Sequence, residues 1–110
     1  MTWLQAFVLT QVLEMPVYLW GFRGTALDVP MRLAVAFGAS ALTHPFVWYV
    51  FYPTLLGPLG YWGFFFVTEG TVVVVETLYL RAFGVPQPFR WALSANAFSA
   101  GVGLLLGPLL

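Results

Sequence analysis

The feature that most constrains this chain is its shortage of charged side chains. Its 110 residues include four arginines, four acidic residues and no lysine, so charged residues make up 7% of the sequence. A soluble domain has about 25% charged residues, because water must wet its surface. Hydrophobic residues make up 61% of this chain. The composition therefore predicts an integral membrane protein in contact with the lipid bilayer.

Several classes of function are excluded by what the chain lacks. It has no cysteine, one histidine and a net charge of zero. Disulfides and thiolate metal sites are therefore impossible, and a zinc, di-iron or bis-histidine haem site would need ligands that the chain does not have. No basic patch suited to nucleic acid is present. We expect no metal, no cofactor, no nucleic-acid partner and no enzymatic activity.

Four segments are apolar and long enough to span a bilayer, which takes about 20 residues as a helix. They lie at approximately 2–22, 31–52, 61–80 and 89–110. The connectors between them are rich in glycine and proline, which interrupt helices. The N-terminus lacks the positive region of a signal peptide, so the first segment is expected to be retained. The sequence predicts an all-α, four-helix membrane bundle that forms one domain, 1–110.

The arginines predict how the bundle is oriented. Arg23 and Arg32 flank the first connector, Arg81 and Arg90 flank the third, and the second connector and both termini have none. Positively charged residues favour the cytoplasmic side of a membrane. We therefore expect the first and third connectors in the cytoplasm and both termini outside, in a multi-pass protein of a plasma membrane such as the bacterial inner membrane.

Two stretches of the chain are similar to each other. "VPMRLAVAFGASALT" at 29–43 and "VPQPFRWALSANAFS" at 85–99 share five of fifteen residues at an offset of 56. Two polar positions also correspond in this alignment, Ser40 with Asn96 and Thr43 with Ser99. The pattern predicts two tandem helical hairpins in the same orientation, which is a parallel repeat about an axis along the membrane normal.

Polar residues inside the predicted spans are the candidate functional residues. They are Glu14, Glu69, Glu76, His44, Gln11, Thr43, Asn96 and Ser99. An ionisable group in the bilayer core costs about 2.5 to 3.5 kcal/mol, so these side chains should face the bundle interior. A helical rise of about 1.5 Å per residue places Glu69 and His44 near the midplane. The functional interpretation is a proton or cation pathway in which these two residues form the central site.

Simpler roles stay open for the same residues. The hydroxyl and amide side chains are expected to form interhelical hydrogen bonds, which stabilise membrane helices by about 0.6 kcal/mol each. Glu76 could pair with Arg81 or Arg90 at the inner interface. His44 could be a titrating group, or a neutral side chain bonded to Glu69 or to a carbonyl, and a lipid-soluble ligand held by these residues is a further possibility.

A third group of residues points to helix packing. Small residues recur at every fourth position of the last span, at Ala95, Ser99, Gly103 and Gly107. Such stripes allow two helices to approach closely. Pro16 and Pro45 interrupt helical hydrogen bonding beside Glu14 and His44, where they should bend the helices.

Two functions are consistent with this pattern. The first is a proton- or cation-coupled transporter or channel that acts as a homo-oligomer and uses the buried glutamates and His44. The second is a non-catalytic accessory or assembly subunit of a larger membrane complex, because short connectors and an apolar exterior suit a chain that lies among other helices.

Overall fold

The computed structural model describes residues 2–106. Its helices are α1 (Trp3–Phe22), α2 (Val29–Phe46), α3 (Tyr52–Ala82) and α4 (Pro88–Leu106), and a π-helical segment, Val47–Phe51, joins α2 to α3. No β-strand is present within residues 2–106. The predicted all-α class is confirmed.

Local side chains define where the first two helices begin. The Thr2 hydroxyl accepts a hydrogen bond from the Gln5 amide at 3.1 Å, and the Gln5 side chain accepts one from the Thr2 amide. Before α2, the Asp28 carboxylate accepts from the Met31 amide at 2.9 Å. These bonds satisfy amide groups that have no partner within the helix. The N-terminal ends of α1 and α2 are therefore defined by residues that lie within a few positions of one another in the sequence.

The second predicted connector is helical rather than a loop. Helical structure is continuous from Val29 to Ala82, and the only non-helical backbone inside α3 is at Gly60, with φ 72° and ψ 175°. That conformation is essentially restricted to glycine. The difference from the prediction arises because helix keeps backbone amides and carbonyls paired, whereas a loop of the same apolar residues would leave them exposed.

The chain nevertheless reverses direction at this glycine. A straight helix of 54 residues would be about 81 Å long, whereas the longest dimension of the structure is 43 Å. The Tyr52 and Phe64 rings, twelve positions apart in sequence, lie 5.7 Å apart in an edge-to-face arrangement. Gly60 therefore folds the stretch Val29–Ala82 back on itself, so that α3 packs against α2.

The helices form a closed ring in which α1 contacts α2 and α4, and α3 contacts the same two helices. The apolar core fills one end of the bundle. It consists of Tyr18, Phe22, Val35, Ala36, Ala39, Leu80, Val85, Ala92 and Ala95 with their neighbours. Large apolar side chains also cover the exterior, whereas glutamate, asparagine and hydroxyl side chains are buried inside. This distribution is the reverse of that expected for a chain surrounded by water.

One helical stretch, Val29–Ala82, is long and apolar enough to cross a membrane by length and composition. It contains the π-helical segment, which begins two residues after Pro45. Because proline lacks an amide hydrogen, the regular hydrogen-bond pattern is interrupted next to this segment. Pro16 lies inside α1 without ending it.

Candidate functional site

A cavity of about 240 Å³ lies within the bundle, and polar side chains from all four helices line it. These are Thr10 and Glu14 of α1, Ser40, Thr43 and His44 of α2, Glu69 and Glu76 of α3, and Asn96 and Ser99 of α4. The structure thus brings together seven of the eight residues that the sequence suggests for a proton or ion pathway. We name this space the polar cavity.

Glu14 joins α1 to two other helices. One carboxylate oxygen accepts a hydrogen bond from the Ser40 hydroxyl of α2 at 2.7 Å, and the other accepts from the Ser99 hydroxyl of α4. Glu14 is 2% exposed. Because both oxygens have donors, the side chain holds three helices at a fixed distance from one another.

Glu76 joins α3 to three other helices in the same manner. Its Oε1 accepts from the Tyr18 hydroxyl of α1 and, at 3.0 Å, from the Asn96 amide of α4. Its Oε2 accepts from the Thr43 hydroxyl of α2 at 2.9 Å. Glu76 is 1% exposed. The structure therefore pairs this carboxylate with neutral donors rather than with Arg81, which the sequence had left open.

The two glutamates have equivalent partners in the similar halves of the chain. Each accepts from one side chain of α2 and one of α4. The donors are residues that correspond at the 56-residue offset, Ser40 with Asn96 and Ser99 with Thr43. The two donors of Glu14, one in each of the similar stretches, are therefore the positional counterparts of the two donors of Glu76. Tyr18 breaks this correspondence, because Tyr79 donates to the Val35 carbonyl instead.

Glu69 differs from the other two glutamates. It is half-buried, it lines the polar cavity, and no residue among 2–106 donates a hydrogen bond to it. Its neighbour Thr68 is buried, with a hydroxyl oxygen that has no partner within the described part of the chain. The Glu69 carboxylate is thus available to whatever occupies the cavity.

His44 of α2 also lines the polar cavity. Its ring is packed against those of Trp3, Phe7 and Trp48, with centroid distances of 5.5, 5.3 and 6.1 Å. Its Nε2 atom is buried and has no hydrogen-bond partner among residues 2–106. An unpaired buried polar atom costs about 1–3 kcal/mol, so aromatic packing holds the His44 ring in place at an energetic cost.

Gln11 is the one suggested pathway residue that lies elsewhere. Its amide nitrogen donates to the Phe37 carbonyl at 3.0 Å and so links α1 to α2. The sequence placed Gln11 at the depth of the cavity, but the rotation of α1 turns it towards the backbone of α2. It acts as a helix-to-helix contact in this structure.

The small-residue stripe of α4 has mixed roles. Ala95 is fully buried in the core, and Ser99 binds Glu14. Gly103 borders the polar cavity, and an added Cβ atom there would meet nothing within 4 Å. The stripe therefore provides open space at Gly103 rather than a close helix contact within the chain. Gly107 lies outside the described residues.

Tyr18 is the site residue that sequence reasoning did not select. It is fully buried and donates to Glu76 across the bundle. A signal was present, since Tyr18 follows Glu14 by one helical turn and so shares its face. Spacing along α1 could not reveal that the hydroxyl binds the glutamate of α3 instead.

The arginines lie away from the cavity. Arg23 stacks over the Trp20 ring at 3.5 Å, and Arg32 donates to the Leu27 carbonyl at 2.7 Å. Arg90 donates to the Gln87 side chain. Within residues 2–106, no group of three or more histidine, aspartate or glutamate side chains is arranged to hold a metal ion. The cavity is consequently rich in carboxyl groups with no basic residue but His44.

In comparisons with known proteins, no family model, no curated protein and no solved structure matches this chain.

Proposed function

We propose that this chain is a multi-pass membrane protein that conducts or transports protons or small cations through the polar cavity. Its four spans would be α1, α2 with the π-helical segment, the part of α3 after Gly60, and α4. The apolar exterior and the buried polar interior support this arrangement. The arginine distribution supports cytoplasmic connectors at Arg23–Arg32 and Arg81–Arg90, with both termini outside.

The observation that carries the proposal is the convergence of three glutamates and the only histidine on one cavity. Ionisable groups inside membrane segments usually mark the paths of ions and protons. A carboxyl-lined space with no arginine in its lining favours positively charged species over negatively charged ones. The cavity would therefore select protons or cations.

The hydrogen bonds divide the glutamates into two roles. Glu14 and Glu76 have their oxygens occupied by donors from other helices, so they support the bundle around the cavity. Glu69 lines the cavity and accepts no hydrogen bond from any residue among 2–106, and His44 lines the same cavity with its Nε2 atom buried. We assign binding of the transported species to Glu69, with His44 as its neighbour in the cavity.

A flux assay in liposomes tests this assignment. Purified protein is reconstituted with a trapped pH-sensitive dye, and dye fluorescence follows proton movement driven by a potassium diffusion potential. We expect Glu69→Gln to reduce flux to the level of protein-free liposomes, because the amide cannot take up a proton. Its folding and oligomeric state should not change, since Glu69 has no hydrogen bond to a residue among 2–106 that the substitution would remove.

Asp28→Asn is the matched control. It removes the only carboxylate outside the predicted spans, and asparagine keeps the hydrogen bond that begins α2. Its flux should equal that of the unmodified protein. If Glu69→Gln retained full flux, or if Asp28→Asn lost as much, the proposed pathway would be wrong.

The alternative of an accessory subunit is supported by the open space at Gly103. A helix of another subunit, or of a second copy, could pack closely there, because within the described part of the chain nothing lies within 4 Å of a Cβ atom added at Gly103. Under this alternative, Glu69 and His44 would complete a site that the partner also lines, and the isolated chain would show no flux.

A further inference from the structure

The exterior of the bundle has a groove that runs next to the polar cavity. It has a volume of about 230 Å³, lies between α2 and α3, and is lined by Leu42, Phe46 and Val75 among other apolar residues. Leu42 and Phe46 are exposed on the bundle surface. We name it the side groove. In a membrane its outer face would meet lipid chains.

Two side chains form a common wall between the side groove and the polar cavity. Thr43 and Val72 line both spaces. Binding sites for small organic molecules have volumes of about 300–1,000 Å³. Neither space alone reaches this range, but the two together do. A molecule that displaced the Thr43 and Val72 side chains would occupy both spaces as one elongated site, with a polar end and an apolar end.

The polar end constrains the chemistry of what could bind. Among residues 2–106, two lining residues have a polar group without a hydrogen-bond partner: the half-buried Glu69, through its carboxylate, and His44, through its buried Nε2 atom. Glu14 and Glu76 add two more carboxyl groups. A carboxylate, sulfate or phosphate group would meet repulsion there without an arginine to offset it. A group that donates hydrogen bonds and carries no negative charge fits.

We propose that the substrate is a single-chain amphiphile, an amine or an alcohol, which reaches the polar cavity sideways from the lipid. Its head would donate a hydrogen bond to Glu69 beside His44. Its alkyl chain would pass between Thr43 and Val72 and lie in the side groove. This inference rests on the proposed function and adds the class of substrate and its route.

Photoaffinity labelling in lipid nanodiscs tests the proposal. The probe is dodecylamine with a diazirine at the end of its chain, and labelled residues are identified by mass spectrometry. We expect saturable labelling at Leu42, Phe46 or Val75. Unmodified dodecylamine and dodecanol should reduce the labelling. Dodecanoate should not, because it is the one competitor of the three with a negatively charged head, which the carboxyl groups of the cavity would repel.

Variants separate the groove from general partitioning into lipid. Leu42→Trp fills the side groove from its outer edge, so saturable labelling should be lost. Leu78→Trp is the matched control, because Leu78 is also a lipid-facing leucine, 59% exposed, and it does not line the groove. Val72→Phe should close the route between the side groove and the polar cavity. Val72 is buried, so this substitution could prevent folding; in that case Leu42→Trp, at an exposed position, still tests the proposal.

Three results would overturn the proposal. They are labelling that does not saturate, equal competition by dodecanoate, and labelling centred on Tyr52 and Phe64, which line a separate cavity. The proposed function has a separate readout, since proton flux and its loss in Glu69→Gln are measured without the amphiphile. Flux with no groove labelling would refute this inference alone. Groove labelling with no flux would refute the pathway and leave a binding protein for such amphiphiles.

Discussion

Replacing Glu76 with methionine should destabilise the bundle, whereas the same change at Glu69 should not. Methionine has similar length and no hydrogen-bonding carboxylate. Glu76 accepts side-chain hydrogen bonds from Tyr18, Asn96 and Thr43. Hydrogen bonds between membrane helices contribute about 0.6 kcal/mol each, so losing three should lower the free energy of unfolding by about 2 kcal/mol.

The loss should be concentrated on one donor. Asn96 can still donate to the Ala92 carbonyl at 2.8 Å, and Thr43 can still donate to the Ala39 carbonyl at 3.4 Å. The Tyr18 hydroxyl would remain buried without an acceptor, at a cost of about 1–3 kcal/mol. Adding Tyr18→Phe to Glu76→Met should therefore restore about 1 kcal/mol, although Tyr18→Phe alone should be destabilising.

The assay is reversible unfolding by sodium dodecyl sulfate in mixed micelles, followed by far-ultraviolet circular dichroism. Glu69→Met should change the free energy of unfolding by less than about 0.5 kcal/mol, as substitutions without structural partners usually do. The division of the glutamates into two roles is refuted if Glu69→Met destabilises as much as Glu76→Met. It is also refuted if Tyr18→Phe adds its full cost in the Glu76→Met background.

Three further predictions concern packing, orientation and assembly. Gly38→Ala should cost about 1–3 kcal/mol in the same titration, because its Cβ atom would overlap the Tyr79 hydroxyl and overpacking strains a core. Gly70→Ala, which faces open space, should be neutral or stabilising by up to about 1 kcal/mol. In this cysteine-free chain, a membrane-impermeant maleimide should label Thr54→Cys but not Ala26→Cys on intact cells, and the opposite pattern would reverse the topology. Native mass spectrometry should show a homo-oligomer, whereas a fixed stoichiometry with an unrelated subunit would support the accessory role.

The sequence predicted the helical class because that class depends on local properties. An apolar segment without water to bind its backbone must pair its amides and carbonyls internally. Caps such as Thr2 and Asp28, and breaks near Gly24 and Gly84, are likewise readable within a few residues. The bounds of α1 and the start of α4 therefore lie close to the predicted ones. The central connector was mispredicted because Pro53 falls in the first turn of α3, where proline is tolerated, and a single glycine turns the chain.

The sequence by itself predicted that glutamates within the apolar segments would turn towards the inside of the bundle, and Glu14 and Glu76 are buried there. Only the tertiary structure decided which polar side chains bind one another. The hydrogen bonds of Glu14 and Glu76 join residues that are 20 to 85 positions apart. Such pairs depend on the rotation and relative height of whole helices, which a helical period of 3.6 residues does not define. That is why Glu69, similar to the other two in sequence, is the glutamate left free to face the cavity.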